Sequence, residues 1–273
     1  MHPETVLKQS KTSFDAAFWG LNKDKKRALS SIYAFCRVVD DTVDEATDDV
    51  SALIGLTNIR KKVDVLDVSK EIFFQELHWS VQKFSIPVSH LYWLMDGVLQ
   101  DISQKKYQTW NDLFVYCDAV ASSVGYMCMD VFEQHVEIPS DYVIATGRAL
   151  QLTNIARDIF TDSAMNRIYI PQEHWTQYEI TQEDFLQKHW SSAFETMVLD
   201  FLQVAGAYFQ QSAQTYKTLD RKKIWPAEVM KGVYAEIYRA ISKHPKIILS
   251  NKVTVPIWKK FWISRKQYIG SFF

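Results

Sequence analysis

Four aspartates stand in two pairs, Asp40/Asp44 and Asp158/Asp162, each inside a stretch that is otherwise mostly apolar. A spacing of i, i+4 puts both carboxylates of a pair on one side of a helix. In 29–45, LSSIYAFCRVVDDTVDE, the groups Tyr33, Arg37, Asp40 and Asp44 fall within an arc of about 60° at ~100° per residue. Ile32, Ala34, Phe35, Cys36, Val38, Val39 and Val43 cover the rest of that helix. In 144–162, IATGRALQLTNIARDIFTD, the groups Gln151, Asn154, Asp158 and Asp162 share an arc of about 80°. Leu150, Leu152, Ala156, Ile159 and Phe160 surround them. A surface helix has the opposite design, with one apolar stripe and a broad polar face. The expectation is two nearly buried helices whose charged seams face a cavity.

Carboxylates drawn out of water need cations. Only Arg37 and Arg157 are local, on or beside the seams. The simplest source of the missing positive charge is divalent metal, and oxygen ligands at i, i+4 suit Mg²⁺. Mg²⁺ held by one or two carboxylates completes its shell with water and substrate phosphates. The chemistry inferred is diphosphate binding and ionisation at the mouth of an apolar helical cavity. A lone acidic pair at this spacing is commonplace on a solvated helix face. Two such pairs on otherwise apolar helices are not.

The elements that must position these groups are helices. Periodicity predicts them over about 24–45, 50–66, 69–85, 88–105, 109–134, 139–162, 191–219, 226–243 and 256–268. Pro87 precedes one, Pro139-Ser140-Asp141 opens another with Ser or Asp as N-cap, and Pro226 suits a first helical position. Arg167-Ile168-Tyr169-Ile170-Pro171 reads as loop. With 8 Gly and 7 Pro in 273 residues, a many-turned β fold is disfavoured. No repeat, linker or charge block divides the chain. The fold class expected is one all-α domain over 1–273, a helical bundle around a central apolar cavity, with an N-terminal arm over about 1–20.

Thirty-one Lys and Arg against 32 Asp and Glu leave no basic footprint for nucleic acid. Cys36, Cys117 and Cys128 form no C-x-x-C pair and no disulfide framework, as expected in a reducing cytosol. The first residues lack the apolar core of a signal peptide. The most apolar window, 113–132, is interrupted by Asp118 and Asp130, so no transmembrane helix is read there. The histidines show no ligand spacing, and Glu173-His174 reads as surface. No glycine-rich nucleotide fingerprint and no nucleophile elbow occurs. Ser122-Ser123 reads as close helix packing, and Gly97, Gly125 and Gly147 as close helix approach or room for a chain. The segment 257–268 mixes aromatics with cations. It is read either as a final packed helix or as a peripheral membrane contact.

Three stretches resemble a known family. Tyr33 to Glu45, YAFCRVVDDTVDE, resembles the first aspartate-rich motif of the squalene/phytoene synthases. Gln151 to Asp158, with Asp162 and then Asn166 to Pro171, resembles the second motif. Tyr116 to Gly125, YCDAVASSVG, resembles a third signature between them. The resemblance runs from about Ser13 to Lys260. It implies the all-α isoprenoid synthase fold and head-to-head joining of two prenyl diphosphates through a cyclopropylcarbinyl diphosphate.

The resemblance further implies a cluster of two or three Mg²⁺ ions on Asp40, Asp44, Asn154, Asp158 and Asp162. Arg37 and Tyr33 would orient the leaving diphosphate. Ser13, Tyr116, Val120, Gly125, Gln151, Asn154, Arg157 and Tyr234 would line the substrate site, and Lys259 or Lys260 would touch a phosphate. Two positions depart from the family pattern. Thr161 stands where Glu is common, and Ser122 stands where Gly is usual. The wording around Phe35, together with Ser122 narrowing a tunnel, leans towards two farnesyl diphosphates and a C30 product. The alternatives are two geranylgeranyl diphosphates giving phytoene, or a non-catalytic relative acting as an assembly factor. NADPH is not expected. The place expected is the cytoplasm, with peripheral contact at the inner membrane face.

Overall fold

The computed structural model describes residues 18–102, 106–132, 139–250 and 253–271, together with Pro3 and Thr5. Most of the expected N-terminal arm, Ser13 included, lies outside the described residues. All regular structure among the described residues is helical. The two seam helices are α1 (Lys23–Asp44) and the longer α7 (Ser140–Ala164). Between them come α2 (Asp49–Asp64), α3 (Ile72–Phe84), α4 (Val88–Ile102), α5 (Trp110–Cys117) and α6 (Ser123–Phe132). After α7 follow two short helices, α8 (Gln172–Trp175) and α9 (Gln182–Leu186), then α10 (Ser192–Tyr216), α11 (Arg221–Lys243) and α12 (Ile257–Gly270).

Polar side chains set most of the starts. The Asn22 carbonyl accepts from Lys25 N at 2.9 Å, Asp48 from Ser51 N at 2.7 Å, and Ser191 from Phe194 N at 3.0 Å. Thr109 and Asp112 form a reciprocal capping box at the start of α5. Two expected starts differ. Helix α7 begins at Ser140 behind Pro139, with no side-chain cap from Ser140 or Asp141. Helix α11 begins at Arg221, five residues before Pro226, because Asp220 accepts from Lys222 N at 3.1 Å and caps it. Pro226 therefore sits in the second turn. The cationic run Arg221-Lys222-Lys223, unfavourable beside a helix N-terminus, hides that start in the sequence.

Helices α1 and α7 are core elements. Ala28, Leu29, Ile32, Ala34, Phe35, Val39 and Val43 of α1 are buried, and twelve residues of α7 are buried along its length. Helix α1 packs against α2, α3, α4 and α6, while α7 packs most extensively on α10 and also on α6 and α11. Arg27 fixes α1 to α3 through a two-point pair with Glu76 and stacks on Trp79, its guanidinium carbon 3.8 Å from the ring centre.

The segment expected as one helix over 109–134 is broken by a π-helical turn, Asp118–Ser122, between α5 and α6. This wider turn carries most of the third signature. Arg148 of α7 clamps it, reaching both Asp118 oxygens at 2.9 and 2.6 Å. Ser122 lies against Gly147, where an added Cβ would meet Ser122 Oγ at 2.5 Å and the Ser122 backbone N at 2.8 Å. Gly97 of α4 is equally constrained, since a Cβ there would come within 2.7 Å of Ala119. These two glycines let α4 and α7 close on the π turn. Ser122 and Ser123 are fully buried, as the packing reading expects.

One surface expectation fails. His174 is buried among Trp110, Tyr178 and Phe201, with Nε2 at 3.0 Å from the Met197 carbonyl. Its neighbour Glu173 accepts from Trp110 N at 2.6 Å. The three cysteines are free thiols. Among the described residues no helix is long and apolar enough to cross a membrane.

Candidate active site

Two cavities meet between α1, the π turn and α7. The first, about 250 Å³, is walled by Leu29, Ile32, Val124, Met129, Phe132, Val143, Leu150, Met230 and other apolar groups. The second, about 350 Å³, is lined by Asp40, Asp44, Asp101, Asp158, Asp162, Arg37, Arg157 and Arg167. Cys36, Arg37, Asp40, Val120, Gln151 and Asn154 belong to both walls and form the rim between them.

The residues singled out in the sequence converge here. Tyr33, Gly125 and Tyr234 line the apolar cavity, and a Cβ on Gly125 would meet Val143 at 3.0 Å. Tyr116, Arg157, Asp158, Asp162 and Asp44 line the charged one. Ser13 lies outside the described residues. Thr161 is exposed and lines neither cavity. The expected phosphate contact of Lys259 or Lys260 is not found. Neither lines a cavity, and Lys259 pairs at 2.5 Å with Glu236 of α11. Ser122 does not narrow the tunnel, because its hydroxyl faces Asp118 at 3.2 Å and the backbone of α7. Phe35 is fully buried in the core and touches neither cavity wall.

Electrostatics rank the carboxylates. Asp44 and Asp158 have cation partners, Arg167 at 2.6 Å and Arg157 at 2.5 and 2.9 Å. Arg37 pairs with Asp41, one turn on, at 2.6 Å. Asp40 and Asp162 have no such partner. Burial, then the neighbouring charges of Asp44 and Asp101, pushes Asp40 up to about 7. Burial, then Asp158, pushes Asp162 up to about 8. The metal-free site is therefore short of positive charge at the two aspartates nearest the junction of the seams.

The structure also brings in residues that the sequence reading left without a role. Asp101, at the end of α4, accepts from Tyr169 at 2.8 Å and from Tyr116 at 3.1 Å. Burial raises it to about 6, an effect eased by the Tyr169 hydrogen bond. Arg167 arrives through a chain reversal after α7. Asn166 adopts a left-handed backbone (φ 60°), with Asn166 N donating to the Ser163 carbonyl and Arg167 N to the Asp162 carbonyl, each at 2.9 Å. This is a Schellman motif with Asn in its left-handed position. It folds Arg167 and Tyr169 back over the end of α7. The cation count from sequence neighbours, Arg37 and Arg157 alone, thus misses a third arginine.

The donor set fits a hard divalent cation. It consists of oxygen groups only, and the Asn154 Oδ1 atom on the rim is buried without a hydrogen-bond partner. Among the described residues, no three His, Cys, Asp or Glu side chains are gathered closely enough to hold a metal by themselves. A cation bound here would take its other ligands from water and phosphate, the usual habit of Mg²⁺.

Comparison with known proteins agrees with this geometry. A phytoene synthase of Mycobacterium tuberculosis is 25% identical over 275 residues, covering 98% of this chain and 90% of that protein. A 15-cis-phytoene synthase of Synechococcus elongatus is 25% identical over 250 residues, covering 86% and 81%. In fold, a dehydrosqualene synthase solved with a ligand superposes with a TM-score of 0.86 at 24% identity, covering 98% of this chain and 95% of the other. A squalene synthase from Alicyclobacillus acidocaldarius superposes at 0.79 with 22% identity, covering 88% and 92%. The family model for squalene/phytoene synthase matches residues 7–259. With the match spanning both seams and the π turn, this chain belongs to the squalene/phytoene synthases, the family of head-to-head prenyltransferases.

Proposed function

We propose that the chain condenses two prenyl diphosphates head to head, with the prenyl chains in the apolar cavity and the diphosphates over the aspartates. The observation that carries this reading is the shared rim, where a carboxylate-lined cavity opens directly into an apolar one. Asp40, Asp44, Asn154, Asp158 and Asp162 would hold Mg²⁺. Bound there, the metal neutralises the diphosphate and makes it a better leaving group.

The protein's own groups do the rest. Arg37, Arg157 and Arg167 bind phosphate oxygens at the mouth, where bidentate contact suits the guanidinium fork. Tyr33 orients the leaving group from the apolar side of the rim. The apolar walls exclude water from the allylic cation, so capture by the second double bond outruns hydrolysis. Closing the cyclopropane ring requires loss of a proton. Tyr116 is one group placed for it, because its oxygen can accept as its own proton moves to Asp101. The departing diphosphate is another acceptor.

For chain length, we favour two geranylgeranyl diphosphates. Both residue-level reasons for the shorter farnesyl substrate fall away, since Ser122 and Phe35 lie off the cavity walls. The relatives named above by sequence are phytoene synthases. The experiment is a competition. Purified protein with Mg²⁺ receives farnesyl and geranylgeranyl diphosphate at equal concentration, and products are identified by mass, with and without NADPH. C40 product in preference is expected. C30 product in preference overturns the chain-length reading alone. Full turnover in excess EDTA overturns the metal reading, and absence of any condensed product with either substrate overturns the whole.

A further inference from the structure

Helix α12 is built inside out. A helix lying on a protein buries its apolar stripe and exposes its polar face. In α12 the only fully buried residue is Ser264, while Ile257, Trp258, Phe261, Trp262, Tyr268 and Ile269 are exposed. Ile257 is 75% exposed, Trp258 62% and Trp262 58%. The inward side meets α11 through Lys259, bonded to Glu236, and through Ile263 against Gly232. Trp19, itself exposed, packs on Phe261 with ring centres 5.2 Å apart and extends the aromatic surface.

We propose that this outward face of α12, with Trp19, is a docking surface for an anionic lipid bilayer. Charge selects the occupant. The helix sequence IWKKFWISRKQYIG carries four cations and no acid, and Arg265 and Lys266 are exposed among the aromatics. A second copy of the chain would set four cations and no acid against the same charges. An anionic headgroup layer complements them, and the amphipathic rings of Trp and Tyr settle at headgroup level. Fourteen residues of helix extend only about 21 Å at ~1.5 Å per residue, too short for a bilayer core of about 30 Å. The helix lies in the plane of the surface.

The lipid contact stands independently of the prenyltransferase reading. Its use rests on that reading. Trp19 follows Phe18, a wall residue of the apolar cavity, so docking would bring the cavity beside the layer in which prenyl-tailed substrates dissolve.

The test is co-sedimentation of the full chain with vesicles of equal parts phosphatidylcholine and phosphatidylglycerol, and with phosphatidylcholine alone. The wild type should bind the mixed vesicles, less so as salt rises. Trp258→Ser with Trp262→Ser should abolish binding to both. Arg265→Gln with Lys266→Gln should weaken binding to the anionic vesicles about 30-fold, with little change on neutral ones. All variants should keep the wild-type Tm and, with detergent-dispersed substrate, the wild-type rate. Wild-type protein that stays in the supernatant overturns the proposal, as does equal binding by all variants. A concentration-dependent dimer that the tryptophan variant abolishes, without vesicle binding, assigns the face to a second copy instead. Vesicle binding by a protein that condenses nothing would refute the function and leave the surface standing.

Discussion

Asp40→Asn is a perturbation whose sign can be worked out in full. In the metal-free protein burial and the carboxylates of Asp44 and Asp101 raise Asp40 from 3.8 to about 7. At about 1.4 kcal/mol per tenfold change in proton affinity, this is a differential of about 4 kcal/mol against the charged form. The folded pKa is the higher one, so its contribution to stability is fully present below about pH 4. It is lost progressively as pH rises through 7. About 3 kcal/mol of that loss falls between pH 5 and pH 8. Asparagine keeps the shape and never ionises, so it escapes the loss. The variant's stability advantage in EDTA should therefore widen by about 3 kcal/mol from pH 5 to pH 8. For a chain of this size the gap in Tm should widen by roughly 6–12 °C. Asp162 and the other carboxylates are common to both proteins and largely cancel in the comparison. The assay is thermal or urea unfolding of both proteins at the two pH values. Mg²⁺ with inorganic diphosphate is then added at pH 8, where the wild type should gain stability and the variant should gain little. Turnover by the variant should be absent. A gap that stays flat or narrows with pH would refute the buried, cation-starved carboxylate, and near-wild-type turnover would refute its place in the chemistry.

Other perturbations follow from single contacts. Arg167→Gln should change stability by less than about 1 kcal/mol, because its partner Asp44 is partly exposed. The same change should lower kcat/KM at least tenfold, the order expected for one lost charge-assisted phosphate contact. Gly147→Ala should cost about 1–3 kcal/mol in urea unfolding, since its Cβ meets the Ser122 backbone as well as the hydroxyl. Ser122→Gly should leave product chain length unchanged by mass spectrometry. Glu228→Ala should cost about 3–5 kcal/mol. Glu228 and Lys231 are a buried pair, with Glu228 bonded to Tyr142 at 2.7 Å and Lys231 to Ser212 at 3.0 Å, and truncation strands the lysine.

The two seams were readable in sequence because each lies within one helix, where periodicity converts spacing into direction. The all-α class was readable for the same reason. Asp101 was not. It ends α4 without a repeating pattern, and its partners Tyr116 and Tyr169 come from α5 and from the loop after α7. Arg167 and Tyr169 stood inside a quoted motif, yet their direction depends on the left-handed turn at Asn166. Ser122 and Phe35 were assigned to the tunnel by adjacency in sequence. The π turn rotates Ser122 towards α7, and the Phe35 direction on α1 is core. His174 was missed because a polar residue beside Glu173 reads as solvated, whereas its ring is enclosed by three aromatic rings drawn from α5, α10 and the turn after α8. The early start of α11 shows a cap overriding an unfavourable first turn.

The Schellman reversal after α7 has a bearing on which changes of chain length the protein can tolerate. Its two hydrogen bonds tie Asn166 and Arg167 to the Ser163 and Asp162 carbonyls, so the count of residues from Asp162 to Arg167 is set by backbone geometry. One inserted residue would carry a different side chain into the arginine's position and turn Tyr169 away from Asp101. A deletion would remove the left-handed residue or shorten the helix by the turn that bears Asp162. Ordinary connections absorb such changes at small cost, because closing a longer loop is entropically cheap. In this corner the segment 162–169 behaves as a template of fixed length, and natural or engineered variants should differ there by substitution and not by insertion or deletion.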